Sequence, residues 1–316
     1  MKLNKIIASV ASLALIGGVF VGCASNKSDL SEINVTYVQS PLNVPSILQK
    51  TDNLFGKEFA EDGIAINFHE ITAGPDQTNA MAAGEIDIAH GVGGVSAIMA
   101  ASNGVDLKIL NSYSRSPKGY MLLTNNPEIK TVEDLIGKTI SGPKGTILHQ
   151  VLIAALKEAG YSIDDVNFVS LGIPEGLAAL EEGSVDATLA AGPTALSAVN
   201  NGSNVVVTGE GLVSGIVVTA VSTKFAEENP EIVERFLEVH KETYDYIINN
   251  EEEMLNRVSE IVGLSLEDTK ALYSLYDFNY EITDEDMQAL IDTQEFAIEN
   301  GLQETEVNIE ELIYKK

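Results

Sequence analysis

Apolar positions along this chain follow two alternating rhythms. Short apolar runs bounded by Gly, Pro, Asn and Asp predict buried strands, and between them apolar residues recur at helical spacing. Residues 33–39 predict a first strand; Ser40-Pro41 breaks it, and 46–59 places Ile47, Leu48, Leu54, Phe55 and Phe59 on one helical face. Asp62-Gly63 turns the chain into a strand at 64–71, Gly74-Pro75-Asp76 opens a helix, and further strands follow at 86–89 and 107–113. This βαβαβαβ order predicts a parallel sheet with helices on both faces. After the breaker-rich 114–119 and a strand at 120–124, Asn125-Asn126-Pro127 predicts a boundary. A second, smaller α/β unit follows, with capping-box spacing at Thr131/Asp134 and Ser162/Asp165 and a last strand at 205–207. The chain returns as a strand at 216–221 and is then helical, with starts at Asn229-Pro230, Ser265 and Thr283 and a stop at Gly301.

One pattern occurs twice. AMAAGEIDIAHGVGGVSAIMAA (80–101) and ALEEGSVDATLAAGPTALSAVN (179–200) align at a constant offset of 99, pairing Ala80/Ala179, Gly84/Gly183, Asp87/Asp186 and Gly93/Gly192. Each copy predicts a helix closed by a glycine, a buried strand, and a glycine loop opening another helix. A helix start at the end of a strand presents unpaired N–H groups and the positive end of the dipole, suited to a polar or anionic ligand. Two such ends, one from each half, could face each other across a cleft.

Composition changes the picture in two ways. At 316 residues, 45% hydrophobic and 21% charged, the chain has material for two ordinary globular domains. Its 19 basic and 47 acidic residues give −28, which argues against nucleic acid as a partner, since phosphate binding needs clustered Lys and Arg. The N-terminus is more specific: Lys2 and Lys5 precede an apolar stretch at 6–20, and Phe20-Val21-Gly22 leads to Cys23, the only cysteine. This resembles the lipobox of bacterial lipoproteins, with Phe20 where leucine is usual. It implies a signal peptide at 1–22, lipidation at Cys23, a tether at 23–32 and a location on the outer face of the cell membrane. Loss of 1–22 leaves 17 basic against 47 acidic residues, −30. With Cys23 acylated no thiol remains for a disulfide, a nucleophile or a metal.

Four stretches then match one family in order: GPDQTNAMAAGEIDIAHGVGG (74–94), TVEDLIGKTISGPKGTILHQVLIAALKEAGYSIDDVNFVSL (131–171), GLAALEEGSVDA (176–187) and STKFAEENPEIVERFLEVHKETYDYI (222–247). They resemble substrate-binding proteins of ABC transporters, in the subgroup for nitrate, taurine, alkanesulfonates and thiamine-pyrimidine precursors. The resemblance implies an α/β, two-lobed periplasmic-binding-protein fold (type II) with two hinge-strand connections. Lobe I would comprise 33–123 and 214–316, lobe II 124–213, with the ligand cleft between them. It further implies a monomeric, lipid-anchored, non-enzymatic component without cofactor or metal. Such a component captures a small polar or anionic solute of the sulfonate, taurine or nitrate kind and delivers it to permease subunits by hinge closure.

Four strand-to-helix loops occupy the positions of the family's ligand loops: Gln39-Ser40, 91–96, 144–146 and 191–194. Within them Gly93, Gly94 and Gly145 would let the main chain approach closely, Ser40, Ser96 and Thr146 would donate hydroxyl hydrogen bonds, and Gln39, Gly91, Gly192 and Pro193 are ligand candidates by loop position; a turn or cap role is the alternative for each. Of the three arginines, Arg235 and Arg257 lie on predicted surface helices, leaving Arg115, with Lys118 and Lys144, as cations for an anionic ligand. Glu70, ending the second strand, could meet an amine or be an ordinary exposed carboxylate. No aromatic residue lies in the four loops and Trp is absent, which weighs against a stacked pyrimidine, although Tyr37, Tyr113 or Tyr120 could reach in. The alternatives are a binder of a thiamine-pyrimidine precursor and an enzyme like the yeast-type pyrimidine synthases on the same fold. Against the enzyme, His69, His90, His149 and His240 lack metal spacing and any local triad pattern, and Gly91-Val92-Gly93-Gly94 is too weak for a dinucleotide site.

Overall fold

The computed structural model describes residues 30–39 and 42–315. Cys23, the signal peptide expected at 1–22 and Ser40 lie outside them. Ten strands form two five-stranded sheets of the same design. The first contains β1 (Glu32–Tyr37), β2 (Ala65–Glu70), β3 (Ile88–Gly93), β4 (Leu107–Arg115) and β10 (Ile216–Ser222), in the order β2-β1-β3-β10-β4. The second contains β5 (Tyr120–Thr124), β6 (Thr139–Gly142), β7 (Asn167–Ser170), β8 (Ala187–Ala191) and β9 (Asn204–Thr208), in the order β7-β6-β8-β5-β9. In each sheet the antiparallel strand, β10 or β5, is the one the chain enters on arriving from the other sheet. The parallel sheet expected from the βαβαβαβ order is therefore mixed, because β10 returns from a hundred residues away and wedges between β3 and β4.

The first boundary moves. β5 pairs with β8 and β9, so the chain first changes lobe at 116–119, not after 123; the Asn125-Asn126-Pro127 turn lies inside the second unit. The return crossing spans 209–215. The C-terminal segment also does not belong to one lobe: helix Leu266–Tyr273 packs against helix Gly192–Asn200 of the second unit, and Lys157 pairs with Glu299 at 2.5 Å. One apolar cluster runs through both lobes, from Leu48 and Tyr113 past Leu122 and Leu152 to Leu272 and Phe278. A helix docked late in the chain buries its stripe wherever complementary apolar surface is left, which local spacing does not reveal.

The repeated pattern is a structural repeat. Helices Gly74–Ala82 and Ile173–Glu181 end alike, with Gly84 and Gly183 at φ of 75° and 72°, where a side chain would be strained. The paired aspartates play the same part in both sheets. Asp87 accepts the Asn34 N–H and Asp186 the Thr139 N–H, each at 2.8 Å, at the N-terminal ends of β1 and β6. Each aspartate's own N–H donates to the carbonyl of the same residue, at 2.9 and 2.8 Å. They staple neighbouring strands at the sheet end away from the helix starts. Asp87→Ala and Asp186→Ala should each cost about 1.5–3 kcal/mol, the usual worth of hydrogen bonds to a charged group, read as a lower urea midpoint at unchanged slope.

Candidate functional site

The carboxyl ends of the strands in both sheets open onto one cavity of about 530 Å³ between the lobes. Lobe I contributes Val38 after β1, the stretch 70–74 with Asp76 after β2, Gly91, Gly93 and Ser96 around the end of β3, and Ser114 on β4. Lobe II contributes Pro143 and 146–148 after β6, 172–175 after β7, Ala191 and Thr194 after β8, and Tyr120 at the start of β5. Five helices, Gly74–Ala82, Gly94–Ser102, Ile147–Glu158, Ile173–Glu181 and Gly192–Asn200, begin at this wall. Their first-turn N–H groups give the cavity uncharged hydrogen-bond donors and place the positive ends of helix dipoles at its wall.

Of the residues expected at the ligand, Gly91, Gly93, Ser96 and Thr146 line the cavity. Gly91, at φ 95°, faces the Tyr113 ring, and β3 passes there in a backbone conformation that would strain any side chain. Gln39 lies next to wall residue Val38 and receives the Tyr37 hydroxyl at 3.5 Å. Gly94 starts its helix behind the wall against Ile216 and Leu290. Gly192, at φ 69°, and Pro193 sit between the wall residues Ala191 and Thr194. Gly145 carries a lobe-to-lobe contact: its carbonyl accepts the Ser96 hydroxyl at 2.9 Å, with Pro75 and Met99 beside it. Ser96→Ala should remove about 1 kcal/mol from the closed arrangement, roughly a fivefold shift toward the open one. Paired distance labels on the two lobes would read it, and an unchanged distance distribution would exclude the latch.

The cations are not where an anionic ligand would need them. Arg115 is turned away from the cavity: Nε donates to Asp286 Oδ1 at 2.5 Å, a second nitrogen pairs with Asp286 Oδ2, and the guanidinium also meets the Asn279 and Glu281 carbonyls at 2.9 and 2.8 Å. Burial opposes the charge on Asp286, but hydrogen bonds from Arg115 and Thr283 outweigh it and hold the carboxyl below its usual range. Arg115 thus clamps the segment 277–281 onto the end of β4. Lys118 pairs with Glu210 at 2.9 Å between the two crossings, and Lys144 is exposed and off the wall. Among the described residues, no Lys, Arg or His lines the cavity, while Glu70, Asp76 and Glu175 do.

Two parts of the wall escape a reading of the four loops. The segment 172–175 is the lobe II counterpart of 73–76, and extending the offset of 99 pairs Pro75 with Pro174 and Asp76 with Glu175. That signal was present in the sequence. Tyr276 was not legible: it arrives from the C-terminal segment, stacks on Phe278 at 5.4 Å and packs its hydroxyl against Gly119 at the first crossing. Burial pushes Tyr120 up to about 12 and Tyr276 well above its ordinary value, so both hydroxyls stay protonated. Of the tyrosines considered from sequence, Tyr120 reaches the wall. Tyr113 lies behind it, its hydroxyl 2.8 Å from Ser46 Oγ.

The histidines are structural or secluded. His90 Nε2 lies 2.8 Å from Gln49 Oε1 and Nδ1 3.1 Å from Thr219 Oγ1, and Gln49 Nε2 lies 3.2 Å from His240 Nδ1. Both rings are buried; burial holds His240 down to about 4, and burial with the neighbouring His240 takes His90 well below its usual value. His149 is held at about 4 by burial and by Lys144. Among the described residues no group of His, Cys, Asp and Glu could hold a metal ion, and no helix is long and apolar enough to cross a membrane.

Paired sheets of this order, joined by two crossings with a cavity between them, define an α/β protein of the periplasmic-binding-protein class. Solved structures agree on the fold: the alkanesulfonate-binding protein SsuA of Xanthomonas axonopodis bound to MOPS superposes with a TM-score of 0.81 at 21% identity, covering 90% of this chain and 98% of that one. A Candida albicans protein described as having the generic periplasmic binding protein fold gives 0.72 at 16% identity, covering 89% and 93%. The profile of the NMT1/THI5-like family matches residues 59–254, and the chain belongs to that family. A Bacillus subtilis protein assigned as an aliphatic sulfonates-binding protein is 28% identical over 99% of this chain and 95% of its own length. The taurine-binding periplasmic protein of Escherichia coli is 27% identical over 85% and 87%.

Proposed function

We propose that this chain is the extracytoplasmic solute-binding component of an ABC importer. It captures a small polar or anionic solute of the sulfonate or taurine kind between its lobes and presents the closed form to permease subunits. The observation that carries this reading is the inter-lobe cavity onto which five helices open, a volume matched to a small molecule. The names of the relatives support the solute class. Capture in this reading is binding rather than catalysis, in keeping with relatives that are named as binding proteins. In this reading the protein works as a monomer without a cofactor, held to the outer face of the membrane by lipid on Cys23. Neutral donors, chiefly helix N–H groups and the hydroxyls of Ser114 and Tyr120, hold the ligand, as water is expelled on closure. Tyr120 and Tyr276 favour a second reading, a thiamine-pyrimidine precursor lying against a ring.

Thermal-shift titration of the purified full chain with taurine, alkanesulfonates, nitrate and pyrimidine precursors tests this. A ligand at a hundred times its Kd should stabilise by about 2.7 kcal/mol. No shift with any of them, together with no molecule co-purifying in native mass spectrometry, would remove the solute assignment.

A further inference from the structure

We infer that the cleft selects a solute bearing a positively charged nitrogen, an ammonium-containing zwitterion or amine rather than a plain alkanesulfonate. The inference rests on the solute-binding reading and sharpens its substrate class. Three carboxylates, Glu70, Asp76 and Glu175, line the cavity, and no cationic side chain does so among the described residues. None of the three forms an ion pair among the described residues. Their placement follows the internal repeat: Asp76 and Glu175 occupy the same position, directly after Pro75 and Pro174, in the first turns of equivalent helices from opposite lobes. Carboxylates there already complement the helix dipoles, which weakens the helix starts as sites for a bare anion. A 530 Å³ cavity is roughly 10 Å across, about one screening length, so like charges on its two walls repel when the lobes meet. A cation between them converts that repulsion into attraction across the cleft and so favours the closed state over the open one. An independent feature marks the same cavity as built for a polar ligand: Ser114 is 1% exposed and on the wall, and its Oγ has no hydrogen-bond partner among the described residues. Buried hydroxyls are normally satisfied, so this one is available to a bound solute.

Calorimetric titration of the full chain with matched probes tests the inference: taurine against ethanesulfonate, β-alanine against propionate, and ethylamine alone. The expected result is that an amine-bearing member of a pair binds at least tenfold more tightly than its amine-free partner. Asp76→Asn, Glu175→Gln and Glu70→Gln should each lose about tenfold for that probe with at most a small drop in melting temperature, and none should weaken ethanesulfonate. Equal binding within the pairs, or silence of every amine-bearing probe at 10 mM, overturns the inference. If ethanesulfonate or propionate still binds, solute capture stands without amine selection; if every probe is silent and the thermal-shift screen is empty as well, both fall.

Discussion

Arg115→Ala is expected to destabilise the protein by about 3–5 kcal/mol, the cost of leaving a buried carboxylate without its counter-charge. The Asp286 side chain is only 5% exposed and the Arg115 side chain 18%, so water cannot replace the lost partner. The damage should extend to the segment that Arg115 holds. Its backbone exchanges two hydrogen bonds with Asp277 at 2.8 Å, and its guanidinium collects the Asn279 and Glu281 carbonyls, so the strap carrying Tyr276 loosens with it. Asp286→Ala in the Arg115→Ala background should recover part of the loss, because the orphaned charge is gone. Urea unfolding of the two single variants and the double variant gives the coupling directly. Additive losses below 1 kcal/mol would show that the pair is a solvated surface contact.

Acidification should destabilise the protein between pH 6.5 and 5, before its carboxylates protonate. His90, His149 and His240 are held neutral in the folded state, the latter two at about 4. In the unfolded chain they titrate near 6.5. A depressed folded value means that the unfolded state takes up protons first, so this stability is complete above pH 6.5 and is lost as pH falls toward 4. At pH 5 the cost is about 2 kcal/mol for each of His149 and His240. Protonation would also break the Gln49 bridge, whose amide nitrogen faces His240 Nδ1 as a donor and cannot meet a second N–H. Relief of the net acidic repulsion acts in the opposite direction, but mainly nearer pH 4, where Asp and Glu titrate. Urea midpoints at pH 7, 6 and 5 decide the matter; a midpoint that stays level or rises down to pH 5 would mean that the buried histidines are not held neutral.

Much of this protein is local and was legible in its sequence. The periodicity, the caps at Ser162, Ser265 and Thr283, and the glycine stops at Gly84 and Gly183 each depend on residues within one turn or strand. The repeat at offset 99 marked two equivalent strand-to-helix loops, and strand-to-helix loops supplied Gly91, Gly93, Ser96 and Thr146 to the cavity wall. The same offset, followed a few residues further toward the N-terminus, also pairs Asp76 with Glu175.

Tertiary structure alone decided the rest, because it depends on which distant surfaces meet. β5 reads as a strand wherever it is placed; only its pairing with β8 and β9 puts the lobe boundary at 116–119. Arg115 is a cation in a serine-rich neighbourhood, and nothing nearby announces that Asp286, 171 residues later, will take its charge. Tyr276 stands at the cavity because that ion pair and the stack on Phe278 bring the C-terminal segment to the hinge. Side-chain charge is written in the sequence, but whether a charge faces ligand, partner or solvent is set by packing between elements far apart in the chain. The amino acids by themselves determined two α/β units and the loops at which they present helix starts; packing determined that the cleft between them is lined with carboxylates and hydroxyls instead of the expected cations.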